Sequence, residues 1–180
     1  MNGIKIKFTG DLMCTMLMQE KSGGNYEKFF SKAEKELSDC DYLVGNLETP
    51  IAGKELGYTK ERYCFNTPER YPAVLKKYGF NLLSLANNHC MDRGEEGIIA
   101  TIKNCEKYGF DITGTNLTDD EQKRVFFKEL SGIKVAFINY TYGTNAFAHR
   151  RFISDNKKYM VNLLQPEETL EGSIHLLNAN

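Results

Sequence analysis

The sequence has no surplus of positive charge: its 180 residues carry 23 Lys and Arg against 24 Asp and Glu, a net charge of −1. A general nucleic-acid binder shows a basic excess, so that class is set aside. Cysteine occurs only as Cys14, Cys40, Cys64, Cys90 and Cys105, an odd number with no CxxC pair. This spacing excludes a zinc ribbon and argues against a disulfide framework; reduced thiols in a cytosolic setting are expected. No apolar run approaches the ~20 residues that span a bilayer. The alternating start Met1-Asn2-Gly3-Ile4-Lys5-Ile6-Lys7-Phe8 has neither the n-region nor the h-region of a secretory signal. The expected location is cytoplasmic, with a membrane-associated form anchored from outside this chain as the alternative. Internal repeats and low-complexity tracts are absent. What remains is ample for a core, since 41% of residues are apolar and 10 Tyr and 11 Phe are spread along the length.

Pattern then supplies the elements. Residues 4–9 alternate with period two and stop at Gly10-Asp11, which predicts a strand. Residues 25–37 place Tyr26, Phe29, Phe30, Ala33 and Leu37 on one helical face. Residues 41–47 read as a strand ended by Glu48-Thr49-Pro50, and 52–66 as a long loop. Thr67 as cap and Pro68 in the first turn predict a helix running to Lys77 and stopping at Gly79. A third strand covers 80–85. Asp92 and Glu95 form a capping box before a helix that ends at Tyr108-Gly109, and 110–113 is a fourth strand. Residues 125–130 and 133–140 flank Ser131-Gly132 as a β-hairpin. The expected fold class is α/β, mostly parallel, with flanking helices and a C-terminal hairpin. The expected division is a domain over 1–145 and a poorly defined tail over 146–180, where Pro166-Glu167-Glu168 starts a helix that Gly172 ends.

Ligand sites in open α/β sheets lie at the C-terminal ends of the strands. Three of those ends carry oxygen ligands: Asp11, then Asn46-Leu47-Glu48, then Asn87-Asn88-His89, at intervals of 37 and 40 residues from Asp11 to Glu48 to Asn88. Neighbouring strands lie ~4.8 Å apart, so such groups can share one or two cations. Carboxylate and amide oxygens suit Mg²⁺ or Mn²⁺, and an added imidazole suits Mn²⁺, Fe or Zn²⁺. Asp11 and Asn88 would each hold an ion, Glu48 would bridge them, and His89 would protonate a leaving oxygen. Each residue also has a plain structural role open to it. Asp11 suits a turn after a strand, Glu48 a solvated loop, and Asn87 and Asn88 turn positions. His89 suits a structural hydrogen bond, and the capping box explains Asp92. Among weaker features, His149-Arg150-Arg151 suits either phosphate binding or a solvated basic turn, and Tyr140-Thr141-Tyr142-Gly143 either a pocket wall or a strand end. Cys14 and Cys90 flank the proposed ligands as small apolar residues do elsewhere.

In chain order the sequence carries Gly10-Asp11-Leu12-Met13, Gly45-Asn46-Leu47-Glu48-Thr49-Pro50, Phe65-Asn66-Thr67-Pro68 and Leu85-Ala86-Asn87-Asn88-His89-Cys90-Met91-Asp92-Arg93-Gly94, and later Thr101, Gly109 and Thr113-Gly114-Thr115-Asn116. Over about residues 4 to 145 this resembles the CapA/PgsA-like capsule-synthesis family. Its members carry a poly-γ-glutamate capsule association, and its fold is similar to calcineurin-like metallophosphoesterases. The resemblance implies a metallophosphoesterase-like α/β sandwich with Asp11, Glu48 and Asn88 as metal ligands. It implies His89 as the catalytic residue facing the substrate, supported by Asp92. The implied cofactor is a divalent metal, Mn²⁺ or similar. The implied partners are an anionic polymer or phosphorylated substrate, and a membrane-associated synthesis or export assembly. Metal-assisted hydrolysis or transfer at a phosphate or amide bond is the implied reaction; a non-catalytic role in polymer synthesis or export is the alternative. Two departures stand out. Met13 occupies the position where dinuclear phosphoesterases place a histidine, and the family's later H-W-G-x-E and G-H-H-P-H segments do not occur. The only histidines are His89, His149 and His175. The expectation is therefore an N-terminal portion of such a domain, from a cut chain or a split gene. Its metal binding would be weak or absent, its turnover low, and its incomplete sheet prone to self-association.

Overall fold

The computed structural model describes residues 3–58 and 63–164; the helix expected after Pro166, and His175, lie outside the described residues. Four parallel strands, β1 (Ile6–Leu12), β2 (Tyr42–Leu47), β3 (Phe80–Ser84) and β4 (Asp111–Thr113), pair in the order β1-β2-β3-β4. Each crossover carries helix: α1 (Met16–Ser22), a 3-10 turn at Tyr26–Phe29 and α2 (Glu34–Ser38) after β1, α3 (Tyr71–Lys77) after β2, and α4 (Gly94–Lys107) after β3. Strands added in sequence order by right-handed crossovers put all their helices on one face. That face holds the larger core, with Leu43, Leu83, Tyr26, Tyr71, Leu75, Ile98 and Ile102 all buried.

The other face is built from the alternate residues of the same strands, Tyr42, Val44 and Leu82. Burial of both faces is why these strands read as apolar runs. The second face is covered by an antiparallel hairpin, β5 (Phe126–Leu130) and β6 (Ile133–Phe137), which lays Phe137, Phe126 and Val135 on it. Ser131 (φ 48°) and Gly132 (φ 83°) make the turn with left-handed backbone at both corners, the geometry that matches strand twist. At the β1 edge the cover is thin: the Phe8 ring lies 6.5 Å from that of Phe137, and Phe8 is still 68% exposed. The architecture is thus α/β: a parallel sheet flanked by helices, with a separate hairpin.

Residues 146–164 add Ile153, Met160 and Val161 to the larger core and include α6 (Ala146–His149). Their end is stitched between two strand tips: Asn116 donates to the Met160 carbonyl, Asn162 to that of Gly114, and Thr141 to that of Asn162. A short α5 (Asp119–Gln122), capped by the Thr118 hydroxyl, leads into the hairpin.

Three local expectations are corrected. The helix over 25–37 is broken, because Tyr26 and Phe30 turn inward onto the rings of Tyr71, Tyr78 and Phe80. The next helix starts at Tyr71, not Thr67, because the Thr67 hydroxyl is held 2.6 Å from that of Thr49 and cannot cap. Asp92 does not cap α4: Arg93 flanks the helix start without a side-chain cap, and Glu95 accepts instead from the Ser154 amide and Lys157.

Candidate functional site

The C-terminal ends of the parallel strands carry one row of polar side chains. Asp11 is paired in register with Asn46, Asn46 with Ser84, and Ser84 with Thr113. The row is a consequence of parallel register together with period two, which puts residues of one parity on one face at one level.

Asn46 organises it. Its amide nitrogen donates to Asp11 Oδ1 at 2.9 Å and to Glu48 Oε2 at 2.5 Å. Its oxygen accepts from Ser84 Oγ at 3.2 Å and Asn87 Nδ2 at 3.3 Å. Ser84 and Asn87 therefore set which end of the amide faces the carboxylates. Asn87 is itself pinned, donating to the Leu47 carbonyl at 2.8 Å. Glu48 is buried, and its pKa is raised by that burial and then by the negative charge of Asp11, against the pull of Asn46 and His89. Asp11 is exposed.

The turn after β3 supplies the second half. Asn87 Oδ1 accepts from the His89 amide at 3.0 Å, a local turn that aims the imidazole. His89 Nδ1 meets Asp92 Oδ2 at 2.9 Å, and the same oxygen accepts from the Phe65 amide at 2.7 Å. The Phe65 ring packs on His89 with centroids 4.7 Å apart. Burial pulls the His89 pKa down, but the hydrogen bond and charge of Asp92, with the charges of Glu48 and Asp11, outweigh it and leave it raised. Asp92 is fully buried, and its Oδ1 has no hydrogen-bond partner among the described residues; His149 Nε2 stands 3.7 Å away.

The structure thus brings Asp11, Glu48, His89 and Asp92 within electrostatic reach of one another. Asn88 is exposed and makes no hydrogen bond to a described residue; the adjacent Asn87 is the amide that joins the cluster. Ser84 and His149 belong to the site although the pattern along the chain did not single them out for it. Ser84 had a signal, since strand alternation puts it at the tip of β3. His149 had none, being brought in by α6 from 57 residues beyond Asp92.

Two converging carboxylates are hard oxygen donors of the kind that bind one Mg²⁺ or Mn²⁺ still carrying part of its water. Both already accept from the Asn46 amide, so as a pair they offer donors for at most one hard cation. They do not fit a dinuclear centre, because no group of three or more His, Cys, Asp or Glu among the described residues is arranged to hold a metal ion.

The family model described as "Bacterial capsule synthesis protein PGA_cap" matches residues 5–173 of this chain. The chain belongs to that family. The "PGA biosynthesis protein CapA" of Bacillus subtilis (strain 168) is 27% identical over 143 residues, covering 77% of this chain and 37% of that protein. The "Capsule biosynthesis protein CapA" of Bacillus anthracis is 27% identical over 144 residues, covering 77% of this chain and 34% of that protein. This PGA_cap chain therefore spans about a third of the length of these curated relatives. Among the described residues, no helix is long and apolar enough to cross a membrane.

Proposed function

We propose that this PGA_cap chain serves capsule biosynthesis through a metallophosphoesterase-type site that acts on a phosphate or amide bond of an anionic substrate. The observation that carries the reading is the Asn46 amide held between Asp11 and Glu48, beside a His89–Asp92 pair. The Asn46 amide donates to both carboxylates and so holds them side by side. Asp11 and Glu48 would hold one divalent cation, which when bound would polarise the substrate and acidify water. His89 supplies the proton chemistry. With Nδ1 committed to Asp92, Nε2 is the nitrogen left for a leaving oxygen, and the raised pKa favours the protonated, donating form. Asp92 holds the tautomer and ring orientation, and Phe65 holds the ring plane. A second reading is favoured by the donor count: a non-catalytic module that uses the same edge to hold an anionic polymer in a synthesis or export assembly.

The test is Mn²⁺ titration of the purified chain, followed by thermal shift and bound-metal analysis, with turnover of a chromogenic phosphate ester and a γ-glutamyl amide. The expected result is that Glu48→Gln loses cation binding and turnover. His89→Ala should keep the cation and lose about 10²-fold or more in turnover, the usual contribution of a general acid. Cation binding with no turnover of either bond selects the second reading. Glu48→Gln binding Mn²⁺ as the wild type does overturns the site.

A further inference from the structure

Asp92 is fully buried, and its two oxygens are treated unequally. Oδ2 meets His89 Nδ1 at 2.9 Å and accepts from the Phe65 amide at 2.7 Å. Oδ1 accepts from no described residue. A buried carboxylate oxygen without a donor is costly, and it leaves the carboxylate free to turn. The neighbouring Arg93 guanidinium does not fill the gap. It is committed to the Asp92 carbonyl, the Cys64 sulfur and the Gly57 carbonyl. The group that faces Oδ1 is His149 Nε2, at 3.7 Å. A nitrogen that faces a carboxylate must carry its proton, because two lone pairs would repel. A shift of ~1 Å brings that N–H into hydrogen-bond range.

The helix that carries His149 is built in an unusual way. α6 is a single turn between two residues with left-handed backbone, Asn145 (φ 57°) and Arg150 (φ 51°). Side-chain-bearing residues keep that conformation only where their surroundings impose it, and such strain collects at functional sites. The turn is pinned on both sides of His149, by buried Ala146 before it and by Arg151 after it, whose guanidinium donates to Cys64 Sγ at 3.2 Å. Its side chains also face the wrong way for hydrophobic packing alone. Phe147 is 51% exposed, whereas the His149 side chain is 13% exposed. Burying an imidazole in place of a phenyl ring runs against the usual ranking. It is explained if the imidazole is needed where it points, which is at Oδ1.

We propose that His149 is a positioning residue: it secures Asp92 through Oδ1, and Asp92 so held fixes the ring of His89. The inference rests on the reading of His89 as the proton donor. It makes α6 part of the reacting assembly, with no contact to the substrate required of it.

The test is nuclear magnetic resonance of the full chain, labelled with ¹⁵N at histidine, without metal or substrate. The sequence has three histidines, so single variants assign the ring signals. The quantity read is the rate at which the His89 Nδ1 proton exchanges with water. His149→Phe keeps the bulk and removes the donor; it should speed that exchange about tenfold or more, the usual scale for a residue acting through another. His149→Gln puts an amide N–H where Nε2 stood and should stay within about twofold of the wild type. Phe147→Ala loosens α6 at its contact with Phe152 and should leave the His89 proton unchanged, which separates positioning from plain docking of the helix. Circular dichroism checks that each variant folds. Equal exchange in the wild type and His149→Phe, a His149→Gln that behaves as His149→Phe, a Phe147→Ala that matches it, or a wild-type His89 Nδ1 proton already lost to fast exchange each overturns the assignment. Should His149→Phe fail to fold, Asp92→Asn decides: the His149 ring signals should shift, and unshifted signals overturn it. In turnover of the phosphate ester His149→Phe should lower kcat about tenfold and leave KM unchanged. Absence of turnover by the wild type counts against the reading of His89 alone, because the exchange rates are measured without substrate.

Discussion

Gly114 offers the sharpest test of how the site is held. Its φ is +105°, where side-chain-bearing residues are strained, and a Cβ there would lie 2.0 Å from Asn139 Oδ1 and 2.7 Å from the Ala86 nitrogen. Gly114→Ala must therefore expel the Asn139 side chain, which breaks both of its hydrogen bonds to Ala86. The backbone strain costs about 1–3 kcal/mol. The two lost bonds cost about 1 kcal/mol each, and more for the buried Ala86 amide left without a partner. A loss of roughly 3–6 kcal/mol is expected, a large part of the ~5–15 kcal/mol that holds a typical domain. The chain has no tryptophan, so urea unfolding is followed by far-ultraviolet circular dichroism. At a slope of ~2 kcal/mol per molar the midpoint should fall by about 1.5 M or more. Asn139→Ala removes the clashing oxygen, so the double variant should be less damaged than the sum of the singles by at least about 1 kcal/mol. A midpoint shift below about 0.3 M, or strict additivity, refutes the account in which Gly114 lets Asn139 clamp the tip of β3.

The remaining predictions concern protons and thiols. Glu48 and His89 both have folded pKa values above their ordinary 4.5 and 6.5. The folded state thus holds these protons more tightly. The stability each contributes is fully present below its unfolded value and is lost as pH rises through its folded value. Melting temperature without divalent cation should therefore decline from mildly acidic pH upward, and Glu48→Gln should flatten the portion that begins near pH 4.5; an unchanged slope contradicts the burial of that carboxylate. Burial pushes the thiols of Cys14 and Cys105 up to about 12, and Cys64 and Cys90 are buried as well. In the native protein Ellman's reagent should find Cys40 first, with all five thiols reacting at once only in denaturant; fast native reaction of Cys14 counts against the packing around it.

Much of the fold is legible because it is written in periodicity. The strands at 41–47, 80–85 and 110–113 are apolar runs closed by Pro, Asn or Gly, and each lies within about a residue of its observed position. The hairpin is marked by Ser131-Gly132. Helices were less legible wherever a residue suited to a local cap had a better partner elsewhere. Thr67 met Thr49, and Asp92 met His89 and Phe65, so neither was free to start a helix.

The amino-acid pattern alone determined the alternation of strand and helix, and with it the edge at which Asp11, Glu48 and the Asn87-Asn88-His89 turn gather. Those features depend on spacing of 2 and 3.6 residues and on chain stops, which are local quantities. Only the tertiary structure decided which of two adjacent asparagines turns inward, that Ser84 and Asn87 orient Asn46, and that His149 comes to Asp92. A side chain's partner is chosen by distance in space among residues tens of positions apart, and no periodicity along the chain carries that information.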